Sequence, residues 1–326
     1  MGHRMQPLID FIQTHESFVV VGHEDPDGDC LCSQLAIDSL LRRMGKLSCL
    51  VSPGPFARSE IVVYQKRFET SLARAGANPE AAIVVDCSTA ERTGSIAEEI
   101  SGLPTAILDH HVSGIPHGTV RIIDPSAPSV TFLFLELLDA LGERPTPEEA
   151  DWLLFGLCTD TGFFRHLGEG TVPAFNAVAR LVDAGASTKS VYYRMFGNRS
   201  FESRKLLGRL LERSESYCDG RLIVTTEELG DIRDIGPENR DSDTLYRELQ
   251  SVAGCEVVVL VREENDQECS VGLRSLDAFD VGSLARTFGG GGHRNASGYT
   301  ACGRAQTVRE RIISEIVPLL SRAERI

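Results

Sequence analysis

The chain lacks a long apolar segment. None of its hydrophobic runs approaches the roughly 18 residues that a helix needs to cross a bilayer, although hydrophobic residues make up 42% of the 326 residues. Residues 1–18 also lack the basic and then apolar pattern of a secretory signal. We therefore expect a soluble, cytoplasmic protein of about two domains, given usual domain sizes.

Paired cysteines are absent as well. The nine cysteines are odd in number, and no two of them have Cys-x-x-Cys spacing. This distribution indicates neither a disulfide framework nor a zinc ribbon, so we expect reduced thiols that are mostly buried.

Basic residues are scarce relative to acidic ones, with 33 Lys and Arg against 47 Asp and Glu and a net charge of −14. Proteins that wrap long nucleic acid neutralise its phosphates mainly with lysine and arginine. We therefore expect neither long duplex nucleic acid nor a membrane as a partner. A small phosphorylated substrate remains compatible with this charge, because bound metal ions supply local positive charge.

Short apolar runs alternate with helical patterns in the first part of the chain. Strands are predicted at 18–22, 82–85 and 105–108, and helices at about 33–44 and 130–141. This alternation predicts an α/β domain with a parallel sheet. Asp and His residues follow the strands, and ligands of such sheets bind beyond the carboxyl ends of the strands. These side chains should therefore converge in one crevice.

The second part of the chain predicts a smaller α/β domain. Its predicted strands and helix lie, in order, at 222–225, 257–261, 270–274 and 281–287. A helical stretch with arginines from Arg194 to Arg213 precedes it, which either guides anions or forms a solvated linker face. We place the catalytic domain at 1–190, a helical linker at 191–215 and the second domain at 216–326.

The loop 22–29, Gly-His-Glu-Asp-Pro-Asp-Gly-Asp, concentrates side chains that bind metal ions. His23, Asp27 and Asp29 are set by a turn that proline and glycine favour. Imidazole and carboxylate ligands suit manganese, magnesium or iron, whereas structural zinc sites usually use cysteine. The loop by itself is equally typical of an acidic turn that caps a helix. Cys30 and Cys32 follow at the predicted helix start, where we expect them to pack.

Three further segments favour a metal site. Asp86 and the triplet Asp109-His110-His111 each follow an apolar strand, and Asp160 lies beside another apolar segment. A buried aspartate is costly unless it is paired or coordinated. The complete set therefore predicts one shared metal centre.

These motifs resemble those of the DHH-family phosphoesterases, which are named for the triplet at 109–111. The resemblance covers nearly the whole chain, because the segment 289–298, Gly-Gly-Gly-Gly-His-Arg-Asn-Ala-Ser-Gly, is similar to a motif of the family's second, DHH-associated domain. The branch that it resembles most is that of the nanoRNases and pAp phosphatases. The resemblance implies an active site in the cleft between the two domains.

The resemblance also implies six metal ligands, which are His23, Asp27, Asp29, Asp86, His110 and Asp160. They would hold two divalent cations bridged by Asp86, with Mn²⁺ as the expected ion and Mg²⁺ or Co²⁺ as alternatives. Two cations about 3.5 to 4 Å apart can share a water and lower its pKa, so the expected nucleophile is a metal-bridging hydroxide. Asp109 would orient a ligating imidazole, and His111 would contact the substrate phosphate.

Substrate-binding residues are expected in the second domain, namely Arg274, Gly291, Gly292, His293, Asn295 and Ser297. Arg274 is suited to a bidentate phosphate contact, with a surface cation as the alternative. The glycines let the backbone approach a ligand closely, and for His293 a structural role in the turn is the alternative.

The implied activity is hydrolysis of short oligoribonucleotides (nanoRNA), linear or cyclic dinucleotides, or pAp. The alternatives are an inorganic pyrophosphatase or exopolyphosphatase of the same superfamily, and a catalytically silent nucleotide-binding regulatory module. A homodimer is a hypothesis that rests on the resemblance alone.

Overall fold

The computed structural model describes residues 2–111, 118–276 and 279–322, and it divides into two compact units, residues 1–198 and 199–326. This division falls within the predicted helical linker, whose limits stay a prediction. All nine cysteines are free thiols and six are buried, as expected. Within the described ranges, no helix is both long and apolar enough to cross a membrane.

The first unit alternates strands with helices. Its strands are β1 (Ser17–Val21), β2 (Leu47–Val51), β3 (Ala81–Val85), β4 (Thr105–Asp109) and β5 (Val120–Ile123). Its helices are α1 (Gly2–Thr14), α2 (Gly28–Arg43), α3 (Leu72–Ala75), α4 (Ile96–Glu99), α5 (Val130–Leu141), α6 (Pro147–Asp160), α7 (Val172–Asp183) and α8 (Thr188–Phe196).

The five strands form a parallel sheet, as predicted, in the order β2-β1-β3-β4-β5. Strands β1 and β3 are almost continuously apolar because both faces of the sheet are covered. Phe18 and Val20 face the larger core beside α1, α2, α5 and α6, whereas Val19 and Val21 face a smaller core with Ile96. Burying each large apolar side chain contributes about 1.5 to 3 kcal/mol.

The strand order reverses between β1 and β3. The chain leaves β1 towards β2 on one side, and then returns to place β3 on the other side of β1. A crevice forms beyond the carboxyl ends of the strands at such a point. His23 and Asp86 follow these two neighbouring strands.

Helix α2 begins five residues before its predicted start at Ser33. The side chain of Asp27 accepts a hydrogen bond from the Cys30 backbone N–H at 3.0 Å and caps the helix. Asp29 therefore lies in the first helical turn rather than in the loop. The predicted loop ended too late because its acidic residues also serve as helix-capping residues.

The second unit is smaller and contains a mixed sheet. Its strands are β6 (Glu215–Tyr217), β7 (Leu222–Glu227), β8 (Val257–Asn265), β9 (Glu268–Ser275), β10 (Gly291–His293) and β11 (Ala296–Cys302). Its helices are α9 (Phe201–Glu212), α10 (Leu229–Ile235), α11 (Ser242–Gln250), α12 (Val281–Thr287) and α13 (Ala305–Arg322). The strand order is β10-β11-β9-β8-β7-β6, and only β7 and β8 are parallel.

Each face of this second sheet has its own apolar core. One contains Val259 and Leu273 together with residues of α12 and α13, and the other contains Val258 and Leu260 together with residues of α9 and α11. Alternate residues of β8 and β9 therefore face opposite helices.

Candidate metal centre and phosphate-binding residues

Asp86 lies at the centre of the predicted ligands. Its Oδ2 is 3.4 Å from His23 Nε2, and its Oδ1 is 3.6 Å from His110 Nε2. The same His110 nitrogen is 3.0 Å from Asp160 Oδ2. The ends of β1, β3 and β4 position the first three residues, and Asp160 is the last residue of α6. The parallel sheet thus gathers side chains from distant parts of the sequence.

Both histidines are oriented by backbone carbonyls. His23 Nδ1 lies 2.8 Å from the carbonyl oxygen of Glu24, and His110 Nδ1 lies 3.1 Å from that of Ala127. With a proton on Nδ1, each ring donates to its carbonyl and turns Nε2 towards the carboxylates, where this nitrogen donates when the ring is protonated and can bind a metal ion when it is neutral. This arrangement is typical of metal-binding histidines. The sequence analysis did not identify Ala127, because every residue has a backbone carbonyl and the residue type therefore gives no sign of this contact.

The backbone of Asp86 is strained. Its φ is +60°, in the left-handed region that aspartate tolerates better than most residues. The residue is 1% exposed, and Oδ1 has no hydrogen-bond partner among the described residues. An unsatisfied buried carboxylate oxygen is expensive, and a bound cation would satisfy it.

Among the residues that the structure describes, three groups of side chains have ligand atoms within 4.8 Å of one another. They are Asp29 with His110 and Asp160, Asp86 with His110 and His111, and His23 with Cys30 and Asp86. Nitrogen and carboxylate oxygen donors of this kind fit divalent cations such as Mn²⁺. The residues present therefore fit a divalent metal centre.

Cys30 was expected to pack, and it is fully buried, but it also lies beside His23 and Asp86. Burial raises the pKa of the Cys30 thiol to about 12. The thiol is therefore neutral near pH 7 and a weak metal ligand, since metals bind the thiolate. The predicted ligand Asp27 has its Oδ1 4.0 Å from His23 Nε2. Its Oδ2 lies 3.6 Å from a guanidinium nitrogen of Arg58, a residue that the sequence analysis did not identify.

Asp29 joins the cluster to α5. Its carboxylate is fully buried and accepts hydrogen bonds from Val130 N at 2.6 Å, from Thr131 N at 3.0 Å and from Thr131 Oγ1 at 2.7 Å. These donors are the first residues of α5, whose positive helix end favours an anion. Asp29 therefore has a structural role beside its predicted ligand role.

The charges of the cluster are unbalanced. Burial raises the pKa of Asp29, and the negative charges of Asp160 and Asp86 raise it further. Burial likewise raises the pKa of Asp160 to about 6, although the contact with His110 opposes this. Burial by itself would raise the pKa of Asp86, but the imidazoles of His110 and His23 hold it well below its ordinary value. A cation would relieve the repulsion among these carboxylates.

The neighbouring carboxylates raise the pKa of the His110 imidazole. Burial by itself lowers the pKa of His110, but contacts with Asp160 and Asp86 outweigh it and raise the pKa to about 11. A metal ion that binds His110 must therefore displace a proton, which makes binding dependent on pH.

Asp109 orients His111. Its Oδ1 accepts hydrogen bonds from the backbone N–H groups of His110 and His111 at 2.8 and 3.2 Å and lies 2.8 Å from His111 Nδ1. The predicted role of Asp109 was to orient a ligating imidazole, whereas the ring that it contacts belongs to the predicted phosphate ligand. This contact is the main reason that the pKa of His111 is raised.

The glycine-rich segment forms the β10–β11 hairpin. A Cβ at Gly290 would lie 2.2 Å from the Gly298 carbonyl oxygen, and one at Gly292 would lie 2.6 Å from that of Ala296, whereas Gly291 faces open space. The hairpin itself therefore requires two of these glycines. Within the segment, only Gly291 among these three has room for the approach of a ligand.

The other predicted residues of this unit differ in their freedom. The Ser297 hydroxyl donates to Val281 O at 2.7 Å, which is a structural contact. Asn295 Oδ1 is buried with no hydrogen-bond partner among the described residues, and His293 is exposed. Arg274 lies opposite Ala296 in the sheet, next to the hairpin.

Several arginines of the basic helical stretch are ion-paired. Arg194 contacts Asp151 at 2.6 Å, and Arg213 contacts Asp231 at 2.6 Å. Arg209 is 3.4 Å from the same Asp231. These pairs favour a structural role over the guidance of anions.

Two family models match the two units of the chain. A model of the DHH family, N-terminal domain, matches residues 17–157, and a model of the DHHA1 domain matches residues 220–317. The first match contains His23, Asp86 and the triplet 109–111, and the second contains Arg274 and the glycine-rich hairpin. The chain therefore belongs to the DHH family of phosphoesterases.

Individual proteins are similar to the chain over most of its length. The chain is 28% identical over 324 residues to the bifunctional oligoribonuclease and PAP phosphatase NrnA of Thermus thermophilus, covering 98% of this chain and 95% of the relative. It is 26% identical over 309 residues to the cyclic-di-AMP phosphodiesterase PdeA of Listeria monocytogenes, covering 88% of this chain and 45% of the relative. The fold is similar to that of an exopolyphosphatase-related protein from Bacteroides fragilis, with a TM-score of 0.81, 20% identity and coverage of 99% and 98% of the two chains.

Proposed function

We propose that this phosphoesterase hydrolyses short oligoribonucleotides, linear or cyclic dinucleotides, or pAp with two divalent cations, Mn²⁺ being the expected ion. The observation that carries the proposal is the cluster around the buried carboxylate of Asp86, whose Oδ1 has no hydrogen-bond partner among the described residues. His23 and His110 both lie beside this carboxylate, and Asp160 lies beside His110. The similarity to NrnA and PdeA supports nucleotide substrates of this size.

The ligand assignment is the one that the resemblance to the family implies. His23, Asp27 and Asp86 would hold one cation, and Asp29, Asp86, His110 and Asp160 would hold the other. When bound, two such cations would supply a water of lowered pKa as the nucleophile and would stabilise negative charge on the phosphoryl oxygens.

The chain's own residues prepare the remaining steps. With a proton on Nδ1, His111 donates to Asp109, and its Nε2 is available to a phosphoryl oxygen or to the leaving oxygen. The raised pKa of His111 favours a protonated ring that can donate to either oxygen. In the second domain, Arg274, His293 and Asn295 would bind a phosphate or nucleotide that is not being cleaved, which selects substrates with a second phosphate.

A substrate panel tests the proposal. Protein loaded with Mn²⁺ is assayed on pApA, a cyclic dinucleotide, pAp and pyrophosphate, as wild type and as Asp86→Asn. Asparagine tolerates the positive φ at this position, so the substitution removes the charge with little added backbone strain. We expect hydrolysis of at least one nucleotide by the wild type and a loss of about 100-fold or more in Asp86→Asn, exceeding the usual 10- to 100-fold effect of residues that only support metal ligands.

The exposed Asp139→Asn provides a matched control in the same unit, because this carboxylate pairs with Arg180 at the surface. It should retain wild-type turnover. Release of phosphate from pyrophosphate alone would support the pyrophosphatase alternative. Nucleotide binding without turnover would support the silent module, and unchanged turnover in Asp86→Asn would refute the two-metal assignment.

A further inference from the structure

Arg274 on β9 is half-buried and makes no ion pair with any acidic residue in the described part of the chain. Within the described residues, its guanidinium makes one hydrogen bond, to the carbonyl oxygen of Leu273 at 3.0 Å, and no ion pair. By contrast, Arg262 on the neighbouring strand is 3.0 Å from the buried Glu227. A partly buried cation without a counter-ion carries a desolvation penalty, so its charge remains available to an anionic ligand.

An aromatic ring holds this guanidinium in place of a carboxylate. The Arg274 Cζ lies 4.4 Å from the centroid of the Tyr246 ring on α11. Tyr246 is only 6% exposed and belongs to the apolar core that also contains Val258 and Leu260. A ring face attracts a cation without neutralising it. The N–H edge of a stacked guanidinium can still form paired hydrogen bonds to phosphate.

The sheet makes room for Tyr246 at one position. Gly272 and Arg274 lie opposite Leu260 and Val258 respectively, so both are on the face that α11 covers. A Cβ at Gly272 would lie 2.0 Å from the Tyr246 hydroxyl oxygen and 3.3 Å from the ring carbon that bears it. The tyrosine hydroxyl therefore occupies the space that any other residue at 272 would fill.

We propose that Tyr246 is a positioning residue that holds the Arg274 guanidinium for the uncleaved phosphate of the substrate, and that Gly272 is required to seat the tyrosine. The inference rests on the proposed function, in which Arg274 binds that phosphate. It adds a residue on α11, outside the glycine-rich segment 289–298 and the strand that carries Arg274, to the determinants of substrate selection.

Steady-state kinetics on pApA test the role of the ring. Tyr246→Leu removes the ring, and we expect KM to rise about three- to thirtyfold, the equivalent of one cation–π contact, with a smaller change in kcat. Tyr246→Phe keeps the ring and should keep KM within about twofold. Tyr217→Leu is the matched control. Tyr217 lies on β6 at the other edge of the sheet, and its ring centroid is 5.9 Å from Arg309 Cζ. It should behave as the wild type.

Two combinations separate positioning from general stability. In an Arg274→Ala background, Tyr246→Leu should raise KM no further, because its effect passes through the arginine. Gly272→Ala should raise KM in the wild type, and Tyr246→Phe should recover most of that loss by removing the hydroxyl. This second pair carries the test even if Tyr246→Leu fails to fold.

The outcomes are distinguishable. A raised KM in Arg274→Ala beside an unchanged KM in Tyr246→Leu would overturn the inference alone. Fully additive effects of the two substitutions would also overturn it. An unchanged KM in Arg274→Ala would overturn both the inference and the phosphate-binding part of the proposed function.

Discussion

Gly156→Ala is a substitution for which local propensity and tertiary packing predict opposite results. Gly156 lies inside α6, where alanine is favoured over glycine by about 1 kcal/mol. A Cβ there would lie 2.5 Å from Thr131 Cγ2 and 2.9 Å from Asp29 Oδ1. Both atoms belong to the buried contact between α2 and α5, which has little room to move.

The packing effect should exceed the propensity effect. Overpacking a core costs about 1 to 3 kcal/mol, and each hydrogen bond to a charged group contributes about 1.5 to 3 kcal/mol. Three hydrogen bonds to Asp29 lie at this contact. After subtraction of the helical gain, we expect Gly156→Ala to lower the free energy of unfolding by about 1 to 3 kcal/mol. If Asp29 binds metal as proposed, Mn²⁺ affinity should also fall.

Urea unfolding measures the effect directly. Fluorescence of Trp152, the single tryptophan, reports the first unit because it is buried in α6. Gly208→Ala in α9 is the control, since a Cβ there meets nothing within 4 Å, and circular dichroism should show a gain of about 0.5 to 1 kcal/mol. Thr131→Ser removes the nearest atom and should recover part of the loss. A Gly156→Ala protein as stable as the wild type would refute the reasoning.

Two further stability predictions follow from buried carboxylates. Arg43→Ala leaves the fully buried Glu149 without its partner guanidinium, which lies at 3.2 Å, and should lower the free energy of unfolding by about 3 kcal/mol. In the same urea assay, Arg180→Ala at the exposed pair with Asp139 should lower it by less than about 1 kcal/mol. Equal losses in the two variants would contradict this prediction. Burial opposes ionisation of Asp231, but bonds from Arg213 outweigh it and lower its pKa. That stabilisation is present above about pH 4 and is lost as the pH falls through the lowered pKa. In Asp231→Asn, the melting temperature should therefore fall less steeply than in the wild type as the pH is lowered from about 5 to about 2. An unchanged slope would exclude the pair with Arg213 as a source of this pH dependence.

The sequence predicted the elements whose signal is local. Helices α5 and α12 begin and end as predicted, at Val130–Leu141 and Val281–Thr287, because each has an apolar period with a Ser or Asp cap in front. The buried strands β1, β3 and β4 were identified because both faces are covered and their apolar runs are uninterrupted. Strands β2 and β5 were missed, since their residues are partly exposed and give no such run.

The contacts of the metal centre were predicted unevenly. Its acidic and histidine residues follow from motifs, and the structure brings them together around Asp86. The contact of Asp29 with Thr131 joins residues far apart in the sequence, and the contact of His110 with Ala127 is made by a backbone carbonyl. No sequence pattern of one segment encodes them.

The residue types of the motifs and their positions after apolar strands were enough to predict an oxygen and nitrogen metal site in an α/β domain. The support of those groups depends on packing between elements, which sets the ring that Asp109 contacts, the glycines that the hairpin requires, and the aromatic ring that lies against Arg274. The physical reason is that strand and helix patterns depend on neighbours within a few residues. The orientation of a buried polar side chain depends on every element packed against it.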